Sequence, residues 1–243
     1  MEDTTVTTQT FKLIRAVGHL FLVYEKGEHW LIDTGAWETM GDRKELTIAG
    51  RTFPVMTNGP VTGKTISDLI GKRCAGLIGL SILNQFNTCF DAPAEEITFY
   101  QLGELPKVNG LLGSIIPYKP MPISVFVEVP ELNETLNVIF DTGSFVSYLP
   151  DEVIDKFPSS KIGEGEDAHP VCGKWKTEIY DLKLRLGNHE FRDKCARQNQ
   201  LRKAVDKQMP VFLMFPHLVG VLGCGFLLDK KMLMLPQIGA FIL

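Results

Sequence analysis

The chain repeats itself. The stretch Trp30-Leu31-Ile32-Asp33-Thr34-Gly35-Ala36 returns as Val138-Ile139-Phe140-Asp141-Thr142-Gly143-Ser144. Each copy follows a hairpin pattern. In the first, 19–24 and 29–32 flank the turn residues Glu25-Lys26-Gly27-Glu28; in the second, 123–129 and 136–140 flank Pro130-Glu131-Leu132-Asn133-Glu134. Farther on, Leu46-Thr47-Ile48-Ala49-Gly50-Arg51-Thr52-Phe53 answers Leu184-Arg185-Leu186-Gly187-Asn188-His189-Glu190-Phe191, both alternating strands broken by a tight turn. Gly76-Leu77-Ile78-Gly79 answers Gly220-Val221-Leu222-Gly223. Four matches in one order mean that a single structural unit is built twice.

That unit is made of strands. Helix signals are sparse: 150–157 has a proline and two acids at its start, and little else does. The expected fold is all-β, two lobes related by a pseudo-twofold axis with a cleft between them. Residues 1–102 form the N-terminal lobe and 123–243 the C-terminal lobe. Residues 103–122, carrying Pro106, Gly110, Gly113, Pro117, Pro120 and Pro122, read as the linker.

A length of 243 residues suffices for two small cores, and a net charge of −4 argues against nucleic acid as the main partner. No apolar stretch is long enough to span a bilayer, and the N-terminus lacks a basic region followed by an apolar run. Five cysteines, an odd count without a C-x-x-C pair, suit reduced thiols and a cytoplasmic setting. A monomer is expected, with no membrane partner.

The duplicated Asp-Thr-Gly turns suit one kind of chemistry. Two carboxyl groups sharing a proton can activate a water and polarise a carbonyl together: the ionised one accepts a proton from water, the protonated one hydrogen-bonds the carbonyl oxygen. Like charges in contact cannot both ionise easily, so the pair stays singly protonated. An apolar strand brings Asp33 and Asp141 to a dry floor. Gly35 and Gly143 leave room for the opposite lobe, and the hydroxyls of Thr34 and Thr142 can bond across the axis. Ser144 can offer Asp141 a hydroxyl, whereas Ala36 cannot do so for Asp33. Asp33 is therefore the expected proton holder, with activity highest in mildly acidic to near-neutral conditions. A lone Asp-Thr-Gly is more often only a turn; here the context is matched twice.

With these motifs the sequence resembles the pepsin and retroviral-protease superfamily of aspartic peptidases, over nearly the whole chain. The lengths of the halves, and the segment Gly79-Leu80-Ser81-Ile82-Leu83-Asn84-Gln85-Phe86 running into Phe90-Asp91 and Ile97-Thr98-Phe99, are nearer the single-chain bacterial retropepsin-like type. The resemblance implies Asp33 and Asp141 as the catalytic dyad, a protein or peptide substrate, and neither a metal nor another cofactor.

The repeat is unequal in one place. Asp33 lies 13 positions before Leu46, but Asp141 lies 43 before Leu184. The extra length is that of a long hairpin, expected as a flap with its tip near Pro170, Val171, Cys172, Gly173, Lys174 and Trp175, the indole covering bound substrate. A surface loop over 160–168 and a first-lobe cover at 58–64 are the rival readings. The run from Gly59 to Gly63-Lys64-Thr65 is one residue short of a phosphate loop, no Gly-x-Ser-x-Gly is present, and His169 with Cys172 is too little for zinc. The competing functions are a peptide-binding module that does not cut and, ranked last, a two-carboxylate glycosidase, whose acids must stand farther apart.

Overall fold

A computed structural model of the chain describes residues 8–59, 61–103, 107, 109, 111, 113–205 and 211–243. Pro106 and Gly110 of the expected linker lie outside these. The architecture is mainly β, in two large sheets and one small one.

The first half supplies most of a ten-stranded sheet. One of its inner strands, His29–Ile32, runs parallel to Gly76–Ile78 and antiparallel to His19–Val23. The run Trp30-Leu31-Ile32 is apolar without alternation because both faces of that strand are covered, and all three side chains are buried. Thr8–Ala16, Glu96–Gln101 and Phe86–Asp91 continue the sheet outward. The hairpin Glu45–Ile48 and Arg51–Pro54 stands apart as the small sheet. Its turn residues Ala49 and Gly50 both have positive φ, the geometry that matches the twist of flanking strands in a two-residue turn.

The second half repeats this plan in an eight-stranded sheet. Glu134–Phe140 runs parallel to Val221–Leu222 and antiparallel to Ile123–Val129, as His29–Ile32 does with its own neighbours. The hairpin Gly173–Leu186 and His189–Arg197, counterpart of the small sheet, is here integrated into the large one.

Two features depart from the sequence-based layout. Lys231–Leu235 and Ala240–Ile242, expected in the C-terminal lobe, hydrogen-bond into the first-half sheet against Phe86–Asp91. Ile115–Pro117, expected as linker, joins them through Ala240–Ile242. The halves thus share one sheet, and a continuous core runs from Leu13 and Trp30 through Phe140 to Phe241. Burying each such side chain is worth roughly 1.5–3 kcal/mol, so the shared core binds the halves strongly. The second departure is helical. Besides Asp151–Ile154, where the sequence indicates a helix, the chain forms Gly63–Ile70 and Gln198–Val205. Gly63–Ile70 is capped at both ends: the Thr62 hydroxyl accepts from the Thr65 N–H at 3.1 Å, and Gly71 ends it in the left-handed region.

Candidate active site

Each Asp-Thr-Gly turn begins where a parallel pair of strands ends. The Asp33 N–H donates to the Ile78 carbonyl at 3.0 Å and the Asp141 N–H to the Leu222 carbonyl at 2.9 Å. The apolar pair in each Gly-apolar-apolar-Gly motif therefore anchors the adjoining turn. The two turns meet at the junction of the halves.

The threonines tie them together with twofold symmetry. The Thr34 N–H donates to the Thr142 hydroxyl and the Thr142 N–H to the Thr34 hydroxyl, both at 3.0 Å. Each hydroxyl then donates onward across the axis, Thr34 to the Phe140 carbonyl and Thr142 to the Ile32 carbonyl, both at 2.8 Å. Both threonines are buried, so each hydroxyl serves as donor and acceptor without competition from water.

Asp33 and Asp141 lie within hydrogen-bonding reach of each other. Each glycine backs the opposite carboxyl: a Cβ on Gly35 would stand 2.5 Å from the Asp141 Cγ, and one on Gly143 would stand 2.6 Å from the Asp33 Cγ. No side chain fits at either position. Asp33 accepts the N–H groups of Gly35 and Ala36, each at 2.9 Å, while Asp141 accepts that of Gly143 at 2.8 Å.

These bonds remove the premise of one expectation. The Ser144 hydroxyl does not reach Asp141 but donates to the Val146 carbonyl at 2.8 Å, and what Ser144 offers the ionised carboxyl is its backbone N–H. Burial pushes the affinity of Asp141 for its proton well up, and the neighbouring charge of Asp33 adds to this. Burial also raises Asp33, and backbone donors oppose it at both carboxyls, Ala36 and Gly35 at Asp33, Gly143 and Ser144 at Asp141. Both carboxyls are thus pushed toward the protonated form, so the pair favours holding one proton between them.

The extra length of the second half forms one hairpin, Lys161–His169 and Gly173–Leu186, with His169 paired to Gly173 and Pro170, Val171 and Cys172 in the turn. Gly173 has φ of +83°, which a side chain would strain. Lys174 forms an ion pair with Glu166 at 3.0 Å. The strand Lys161–His169 comes against the helix Gly63–Ile70, so the two segments named as rival covers meet across the halves. Trp175 is turned inward rather than left open. Its Nε1–H donates to the Tyr148 hydroxyl at 3.2 Å, and its ring packs on the cluster of Val146, Tyr148 and Ile179.

Three further residues of the site were not apparent in the sequence. His19 is buried beside the turns and hydrogen-bonds the Thr142 carbonyl; burial lowers its pKa to about 4, so the imidazole is neutral. Tyr148 donates its hydroxyl to Asp167 on the hairpin. Asp193, on the strand behind the second turn, accepts the Ser147 hydroxyl at 2.5 Å, and Ser147 in turn accepts the Gly223 N–H at 2.9 Å. His19, Asp193 and the Asp167 that Tyr148 meets all lie on strands, where an acid or histidine reads as solvent-facing, and each partner is remote in sequence.

Among solved structures, the chain superposes on the aspartic proteinase from Irpex lacteus with a TM-score of 0.53, covering 97% of this chain and 96% of that one at 12% identity. The fold is that of an aspartic proteinase. No protein-family model matches the sequence, and no curated protein does. The likeness is one of chain path. Among the described residues no cluster of three or more His, Cys, Asp or Glu side chains is arranged to hold a metal ion.

Proposed function

We propose that this chain is an aspartic endopeptidase, hydrolysing peptide bonds with a water held between Asp33 and Asp141. The observation that carries the reading is the reciprocal threonine bonding that sets the two carboxyls against each other, each backed by the other turn's glycine. A peptide would lie extended between the dyad and the hairpin Lys161–His169 and Gly173–Leu186. The chain would act as a monomer, since both aspartates are its own.

The Asp33 carboxylate, steadied by two backbone donors, takes a proton from the water as its oxygen adds to the peptide carbonyl carbon. The Asp141 proton passes to the carbonyl oxygen, giving a neutral tetrahedral diol. On collapse the C–N bond breaks, the nitrogen takes the proton from Asp33, and a diol hydroxyl returns its proton to Asp141. The burial that keeps Asp141 protonated supports activity from mildly acidic to near-neutral pH.

Incubation of the pure protein with a mixed peptide library from acidic to neutral pH tests this directly. Cleavage is expected, and Asp33→Asn and Asp141→Asn should each abolish it while leaving the circular dichroism spectrum unchanged. A variant that kept wild-type turnover would place the chemistry elsewhere. Binding of peptides without cleavage would make the protein a peptide-binding module, and a rate maximum in strong acid would contradict the proton assignment.

A further inference from the structure

Beneath the hairpin lies a carboxyl group that neither the dyad nor the core accounts for. Asp167 sits on Lys161–His169, cross-strand from Trp175, and is buried at 7% exposure. The alternation of the strand turns Glu164 and Glu166 to solvent and Asp167 inward. There its carboxylate accepts the Tyr148 hydroxyl, which also accepts the Trp175 indole N–H. Tyr148 belongs to Ser147–Leu149, which runs antiparallel to the Val221–Leu222 strand that anchors the Asp141 turn. One chain of hydrogen bonds thus joins both strands of the hairpin to the strand that supports the dyad.

Among the described residues none gives Asp167 a counter-ion. Its own backbone offers the Ala168 N–H at 2.8 Å. His169, the next inward residue, has its pKa lowered by burial, which disfavours its charged form. On the facing helix Gly63–Ile70, Lys64 pairs with Asp68 at 2.5 Å, both exposed. On Gln198–Val205, packed under the second strand, Gln200 meets Thr177 and Arg202 lies over the ring of Phe212. The acid that does reach Asp167 is Asp141, which adds a like charge whenever it is ionised.

We propose that Asp167 is a third carboxyl of this site, a positioning residue that latches the hairpin to Tyr148 and couples hairpin closure to the proton content of the dyad. The coupling to the dyad rests on the reading of Asp33 and Asp141 as the catalytic pair; the latch does not. Closure takes Asp167 out of water with no cation to meet it, so the closed hairpin favours the protonated form. Burial, the larger cause, and the nearby Asp141 raise its pKa from 3.8 to about 6. An open hairpin returns it to water and to its ordinary value. Since the closed state binds the proton more tightly, closure is most stable below the open-state pKa and weakens as pH rises toward and through 6. The effect is reciprocal: an ionised Asp167 strengthens the hold of Asp141 on its proton.

Hydrogen exchange across 161–178, corrected for the intrinsic pH dependence of exchange, reads hairpin opening without reference to activity. From pH 4.5 to pH 7.5 the opening constant should rise about 25-fold in the wild-type protein and stay nearly flat in Asp167→Asn. Tyr148→Phe, which removes the latch's partner but keeps the ring, should raise opening most at pH 7.5. A wild-type hairpin whose opening ignores pH, or an Asp167→Asn variant that keeps the full pH response, overturns the latch. In peptide cleavage the alkaline limb of kcat/KM should move to lower pH in Asp167→Asn, by roughly half a unit or more; an unmoved limb overturns the coupling. If the wild-type protein cuts no peptide, the exchange still decides the latch, and the peptidase reading alone falls.

Discussion

At the level of single residues, the junction of the halves tolerates little change. A methyl group at Gly35 meets the Asp141 carboxyl, and the turn cannot retreat without breaking the threonine bonds. Gly35→Ala should therefore lower peptide cleavage by a hundredfold or more, about 3 kcal/mol in the barrier, and peptide kinetics at matched folded protein would show it. Thr142→Val deletes two hydrogen bonds and leaves the Ile32 carbonyl and the Thr34 N–H buried and unpaired. A loss of about 2–4 kcal/mol in urea unfolding is expected. Asp193 gives a pH signature. Burial raises its pKa from 3.8 to about 7, with the Ser147 hydroxyl opposing. Folding then binds a proton, so stability is greatest at low pH and falls as pH rises from about 4 to 7, by about 2–4 kcal/mol. Asp193→Asn should flatten that decline in denaturation midpoints taken across the range.

Secondary-structure elements differ in how far the sequence foretells them. The strands and turns around Asp33 and Asp141 are legible because their patterns are local: an apolar run, a glycine turn, a second apolar pair. The hairpin Lys161–His169 and Gly173–Leu186 is legible only as surplus length, since Lys161-Ile162-Gly163-Glu164-Gly165-Glu166-Asp167 reads as a polar loop until Tyr148 is set beneath it. The helix Gly63–Ile70 had a signal that was available, Thr62 at one end and Gly71 at the other. The same residues also approach the spacing of a phosphate loop, so the two patterns overlap. The inward turn of Trp175 and the diversion of Ser144 to Val146 depend on which acceptor stands nearest in space, which no spacing encodes. For the hairpin itself, a peptide-like transition-state mimic should protect amides at 169–176 from exchange. Protection confined to 58–64 would assign the cover to the first half. Gly173→Val, which forces a branched side chain to positive φ, should cost about 1–3 kcal/mol in local stability and speed exchange at the tip.

On the scale of the whole molecule, the strands Lys231–Leu235 and Ala240–Ile242 belong by sequence to the second half and by hydrogen bonding to the first. Residues 8–103 expressed alone would leave Phe86–Asp91 as a bare apolar edge, so that fragment should aggregate rather than fold, and the intact chain should unfold in one transition by both fluorescence and circular dichroism. The lone hairpin has a different consequence. A pseudo-twofold dyad by itself presents the same face to a peptide laid in either direction, so amino-to-carboxyl and carboxyl-to-amino threading would be equivalent. One arm on one side removes that equivalence. Any peptide cut here would be read in a single orientation, and the residues on the two sides of its scissile bond would meet different walls.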